Sequence, residues 1–396
     1  MSRYRFCRCI LCSQPRYTRW AGPQAINHIR KVSKHILASR GKSLDTDRDR
    51  AVGALIGGAS GDAACQNFVE NGKPGHYAKF ERCLKGWSAF EDAARSAEPH
   101  WFKDLLSLWR PSGHCSGELG LRIAIRNGYL NFYRLGQSIA RVKGGPRGLV
   151  AHVHYKYVLD KPQPGMSKSP YLRLTQNGVF FGDTKVAIYE GLSTLGQWIA
   201  DAEKKHAGVE KKVVDELVAK NDHVVDLEMA LPAWTLPKVA VRMDLVAIED
   251  GTVVFWEVKT ILNSEIRCEA AFEEDRFPHV LKQLSNYRVF LEQDSHPELV
   301  RAAYRNTAKI LVDLRALADK YKIGPTLELG QSIKDANKAQ GLAVARQAAL
   351  VVVDLPADNK RAWTSWKASH EGKLLGKIPM RVLESAERLV FAGAAQ

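Results

Sequence analysis

The 396-residue sequence has no apolar run approaching the roughly 20 residues that a membrane-spanning helix requires, so it offers no candidate for one. It also lacks the apolar centre of a secretory signal. Cysteine is sparse and odd in number: Cys7, Cys9, Cys12, Cys65, Cys83, Cys115 and Cys268. That scatter is no disulfide framework and points to a reducing cytoplasm. Cys7, Cys9 and Cys12 are close enough to suggest zinc, but no second CxxC or HxxxH follows nearby to supply four ligands. A GxxxxGK[ST] phosphate loop is missing, which excludes a fused nucleotide-driven motor. Acidic residues are absent from residues 1–42, which carry ten Lys or Arg. A flexible basic arm or a translation start placed too far upstream fits this stretch better than a transit peptide.

What is present is an ordinary globular composition, 45% hydrophobic and 26% charged, with enough length for two or three domains. The formal charge of +15 favours a polyanionic partner, nucleic acid first. The division expected is a basic arm over 1–22, a mainly helical region of open role over 23–115, and an α/β domain over 116–396. Within the last, a meander covers 117–160, a core 190–293, and further helices and strands 298–396.

Residues 121–142 hold two alternating runs around Asn127-Gly128, a strong hairpin signal, and 149–159 extends the meander. Tyr, Phe, Arg and Lys on its faces suit nucleic-acid contact by stacking and charge, although a half-buried scaffold is the favoured reading. Residues 160–170 read as a Pro-rich loop. A helix over about 190–220 breaks near Gly208, and a strand follows at 223–231. Helices are expected at 278–293, 298–322 and 331–346, and strands at 348–356 and 378–385. This alternation predicts an α/β fold with a mixed central sheet flanked by helices.

The chemistry is concentrated in "RMDLVAIEDGTVVFWEVKT", residues 242–260. Two apolar strands flank Asp250-Gly251, yet Asp244, Glu257 and Lys259 stand inside them, where unpaired charge is costly. With a two-residue turn, Asp244 lies opposite Glu257 on one sheet face, and Lys259 shares it. Arg242 would then oppose Lys259. Val246, Ile248, Val253 and Phe255 continue that face. Two carboxylates so placed repel each other unless a cation lies between them, and Mg²⁺ or Mn²⁺ is the natural partner. A salt bridge between Lys259 and either acid is the plainer alternative.

Asp244, "EVK" at 257–259 and "QLSNY" at 283–287 together resemble the PD-(D/E)XK nuclease superfamily in its RecB-like branch. The resemblance covers about 200–293. It implies a restriction-endonuclease-like core, metal ligation by Asp244, Glu257 and the Val258 carbonyl, and a catalytic Lys259. Gln283 and Tyr287, four apart on a helix, would position the site and its nucleic-acid substrate. The residue before Asp244 is Met243 instead of the proline of the family name. An upstream acid is also implied: Glu210 is favoured, paired with His206 as an H-x-x-x-E, with Glu216 and Glu228 as alternatives. The expected function is Mg²⁺- or Mn²⁺-dependent hydrolysis of DNA in preference to RNA, in repair, recombination or defence. A catalytically inactive nucleic-acid binder is the alternative. Residues 50–63 also faintly resemble the first helix of ADP-ribosylglycohydrolases, without that family's paired aspartates. No membrane association is expected, and no protein partner is indicated.

Overall fold

The computed structural model describes residues 80–231, 242–267, 278–338, 341–354 and 360–390. The basic arm, Cys7, Cys9, Cys12 and residues 50–63 lie outside these. Two short helices come first, α1 (Trp87–Arg95) and α2 (Trp101–Ser107). Seven antiparallel strands follow in simple chain order: β1 (Arg122–Arg126), β2 (Tyr129–Arg134), β3 (Gln137–Gly145), β4 (Gly148–His154), β5 (Tyr171–Thr175), β6 (Gly178–Phe181) and β7 (Thr184–Ala187).

The Asn127-Gly128 turn forms as expected, with Gly128 at φ +82°. Two parts of the meander differ from the sequence expectation. Residues 149–159 are not one strand: β4 ends at His154, whose Nδ1 accepts the Lys156 N–H at 3.2 Å. That cap starts a single helical turn, α3 (Tyr155–Val158). The sheet also continues past the Pro-rich loop into β5–β7, around the turn signal Asn177-Gly178.

Helices α4 (Leu192–His206) and α5 (Val209–Lys220) are separated at Ala207-Gly208. A mixed sheet then assembles from β8 (Val224–Ala230), β9 (Arg242–Glu249), β10 (Thr252–Thr260), β11 (Ala343–Val344), β12 (Ala349–Val353) and β13 (Met380–Leu383). Its order is β13-β12-β10-β9-β8, with β11 beside the start of β10. The β8, β9 and β10 pairings are antiparallel; β12 runs parallel to β10 and to β13. The remaining helices are α6 (His279–Leu291), α7 (His296–Lys320), α8 (Gln331–Lys338) and α9 (Lys360–Ser369). The helix expected over 331–346 stops at Lys338, because Ala343 and Ala345 instead donate to the Gly251 and Val253 carbonyls, both at 2.9 Å.

One continuous apolar cluster ties these parts together. It includes Phe90 and Phe102 from the first helices, Phe132 and Val153 from the inner meander face, and Leu195 and Ile199 from α4. The same cluster takes in Val246, Ile248, Val253 and Phe255 from the hairpin, with Tyr287 and Tyr304 from α6 and α7. Leu245, Val254, Trp256 and Val258, on the opposite hairpin face, meet Val213, Val214 and Leu217 of α5. No helix among the described residues is long and apolar enough to cross a membrane.

Candidate active site

Asp250 and Gly251 both have positive φ, +46° and +76°, which matches the twist of a tight two-residue hairpin. The turn fixes the register: Thr252 faces Glu249, and pairing proceeds to Trp256 opposite Leu245. Asp244 and Glu257 come next in the two strands. There the ladder stops. The Asp244 Oδ2 accepts the Val258 N–H at 3.0 Å, so a side chain takes a donor that continued pairing would give to a β9 carbonyl. Arg242 therefore does not oppose Lys259 as expected. It pairs with Ala230 of β8, while Lys259 pairs with Val352 of β12.

All three hairpin groups are buried: Glu257 is 2%, Lys259 6% and Asp244 7% exposed. Lys259 Nζ donates to Glu257 Oε1 at 2.7 Å and reaches Glu265 Oε2 at 2.7 Å. Gln283 Nε2 donates to the same Glu257 Oε1 at 2.7 Å and to the Arg242 carbonyl at 3.3 Å. Glu257 Oε2 is buried without a hydrogen-bond partner among the described residues. Burial, and then the neighbouring charge of Asp244, push the Glu257 carboxyl up to about 8, against the pull of Lys259 and Gln283. Burial alone would lower Lys259, but Glu257, Glu265 and Glu210 outweigh it and raise its pKa.

Tyr287 sits one turn beyond Gln283 on α6, fully buried against the Phe255 ring at a centroid distance of 5.6 Å. Its hydroxyl also has no hydrogen-bond partner among the described residues, and burial raises its pKa far above the ordinary phenol value. The two motif residues thus separate in role: Gln283 touches the acid, and Tyr287 packs behind it.

The upstream acids are sorted by the break at Gly208. His206 ends α4 and stacks edge-on against Tyr157, so it shares no helix with Glu210 and does not enter the site. Glu210 lies in the first turn of α5, where its Oε2 accepts from Asn263 Nδ2 at 2.8 Å. Glu216 is exposed elsewhere on α5. Glu228 joins through Lys211, whose Nζ lies 2.6 Å from Glu228 Oε1 and 3.0 Å from Asp244 Oδ1. Burial raises the Glu228 carboxyl, opposed by Lys211. Burial also lowers Lys211, but Asp244 and Glu228 more than reverse this.

Lys211, Asn263 and Glu265 were not anticipated, and nothing local distinguishes them from other polar residues nearby. Glu228 and Asp226 carried a stronger signal. Both are acids inside the apolar strand "VVDLEMA", the criterion that singled out the hairpin. Glu228 also has φ +50°, a conformation that non-glycine residues rarely adopt.

The donor set fits a hard cation in part. The orphaned Glu257 Oε2 and the adjacent Asp244 carboxylate are oxygen ligands that lack compensation on one side. Against this, Asp244 Oδ1 already holds the Lys211 ammonium. Among the described residues, no group of three His, Cys, Asp or Glu side chains has metal-holding geometry. No protein-family model, curated protein or solved structure matches the chain.

Proposed function

We propose that the chain is a metal-dependent nuclease that hydrolyses phosphodiester bonds of DNA. The observation that carries this reading is the convergence of Lys259 and Gln283 on one oxygen of Glu257, with the other oxygen buried and orphaned beside Asp244. A structural salt bridge would satisfy both oxygens; a half-satisfied buried carboxylate is costly without a further partner. The order Asp244, Glu257-Val258-Lys259, Gln283 and Tyr287 supports the PD-(D/E)XK resemblance, and with it a restriction-endonuclease-like core in the mixed sheet.

Asp244, Glu257 and the Val258 carbonyl would hold Mg²⁺ or Mn²⁺, with Glu210 or Glu228 as an outer acid. A divalent cation bound there supplies Lewis-acid polarisation of a phosphoryl oxygen. The chain's own residues do the remaining work. Burial pushes the Glu257 carboxyl up to about 8, so it holds a proton near neutral pH that a bound cation would displace. The Lys259 ammonium, fixed by Glu257 and Glu265, orients the attacking water or neutralises charge developing on the phosphate. Gln283 holds the Glu257 rotamer, and Tyr287 backs it with packing. The formal charge of +15 supports a polyanionic substrate. The scattered cysteines support a reducing, cytoplasmic setting.

One observation favours a second reading, a nucleic-acid binder without catalysis: Lys211 already neutralises Asp244 and Glu228 internally. A cleavage assay separates the two. With Mg²⁺ or Mn²⁺, the parent should cut circular or linear DNA, and EDTA, Asp244→Ala or Lys259→Ala should reduce the rate by at least about a hundredfold. Equal rates in the parent and both variants would end the nuclease reading.

A further inference from the structure

We propose that the open face of the seven-stranded sheet is a docking surface for single-stranded nucleic acid. The strand registers put one unbroken row across it: Asn131, Arg141, His152, Arg173, Phe180 and Lys185 are successive neighbours on β2 to β7. The opposite face is the one packed on the first helices and α4. At the β1–β2 end the row passes under α5, where Ala124 and Tyr133 join Val213 and Leu217 in the core. From β3 to β7 its members are half-buried or exposed. Four inter-strand steps make this open stretch roughly 20 Å long, room for a few nucleotides.

The face has one sign of charge. Between Leu121 and Leu159 the sequence contains no Asp or Glu, and residues 121–187 hold eleven Lys or Arg against Asp160 and Asp183. Arg122, Arg126 and Arg134 have carboxylate partners. Among the described residues, Arg141, Lys143, Arg173 and Lys185 have none. The basic groups also lie on rings. The Arg141 guanidinium stands 4.0 Å from the Tyr171 centroid and 5.8 Å from that of Tyr129, and Arg173 stands 5.3 Å from Phe180. Guanidinium groups and aromatic rings brought this close together are surfaces on which unpaired bases stack, while the same charges neutralise phosphates. A duplex hides its base faces and gains only the charge contribution. An anionic membrane would use the charge but not the planar stacking. The single strand is therefore the occupant that uses both features.

This face also borders the carboxylate site. Gly136, in the β2–β3 turn at φ +70°, passes so close that a Cβ there would meet Glu228 Oε1 and Lys211 Cδ, each at 2.8 Å. As a statement about substrate, the proposal rests on the nuclease reading; as a binding surface it stands alone.

The test is fluorescence anisotropy of the full chain in EDTA, so that no cleavage intervenes. The probes are a single-stranded DNA of about 30 nucleotides, the RNA of the same sequence and the corresponding duplex, with phosphatidylserine vesicles as competitor. The single strands should bind at least about tenfold more tightly than the duplex, and the vesicles should not displace them. The tighter of the DNA and RNA arms names the sugar. Arg141→Glu with Arg173→Glu should weaken single-strand binding about tenfold or more. Lys143→Glu with Lys185→Glu, both exposed residues, should weaken it as well without disturbing the fold. Asp244→Ala should bind like the parent, whatever it does to cleavage. Unchanged affinity in both charge-reversed pairs, or preference for the duplex or for vesicles, would overturn the proposal.

Discussion

Glu257 is where burial, charge and function meet, and its proton gives two predictions. Its folded-state pKa stands near 8, above the ordinary 4.5, so the folded protein holds a proton that the unfolded chain loses. Stability from this group is therefore full below about pH 4.5 and declines as pH rises to about 8, with no further loss above. Glu257→Gln removes the decline. Urea unfolding should show parent and variant closely matched at pH 5, with the variant the more stable at pH 8.5 by about 2–4 kcal/mol. A parent curve flat across that window would contradict the assignment. Lys211 gives the second. It is the internal counter-ion of Asp244 and Glu228, so Lys211→Met leaves two largely buried acids facing each other and should destabilise by about 2–3 kcal/mol. Mn²⁺ should restore that loss and bind the variant more tightly than the parent. Failure of Mn²⁺ to stabilise Lys211→Met would show that the acids hold no cation.

At the scale of elements, the positioning device is the irregular strand β8. Its pairing with β9 shifts between Val224 and Asp226, and Glu228 takes positive φ, which together turn Glu228 towards Lys211. Arg126, at the end of β1, braces the distortion by donating to Asp226 Oδ1 at 2.7 Å and to the Leu227 and Glu228 carbonyls at 2.6 and 3.3 Å. Tyr304 donates to Asp226 Oδ2 at 3.2 Å from α7. Arg126→Ala should cost about 3–5 kcal/mol in urea unfolding, because it leaves the fully buried Asp226 with a weaker partner set. A loss below about 1 kcal/mol would mean that the bulge holds itself. Local signals explain which elements were legible in the sequence. The turns Asn127-Gly128 and Asp250-Gly251 fixed their hairpins because paired residues lie close in the chain, Arg122 with Tyr133 and Leu245 with Trp256 at the outermost. Strands β5–β7 carried a similar signal at Asn177-Gly178, which the preceding Pro-rich loop masked. The parallel neighbour of β10 lies about 90 residues further on, and only tertiary packing brings β12 there. For the same reason Gln283 was readable from its motif, while Lys211 was not: its role exists only once α5 meets the open end of the hairpin.

The larger of the two apolar clusters spans both sheets. The cluster that holds Phe90, Phe132 and Leu195 also holds Val246, Phe255 and Tyr287, so the meander and the mixed sheet should unfold together. Hydrogen exchange at increasing urea should give β2–β3 and β9–β10 peptides the same midpoint, and two separated midpoints would show two independently stable units. This shared core links a one-signed outer face on the meander to a buried acid pair at the end of the hairpin, through the Gly136 turn. The measurement that tests the acid pair most directly is calorimetric titration of Mn²⁺ into the full chain without nucleic acid. Saturable binding is expected, strengthening as pH rises to about 8, as Glu257 gives up its proton. That binding should be lost in Asp244→Ala and Glu257→Gln and kept in Lys259→Ala, which should nevertheless fail to cut DNA. No saturable heat in the parent, or the same heat in Asp244→Ala, would contradict the claim that these two carboxylates form a cation site.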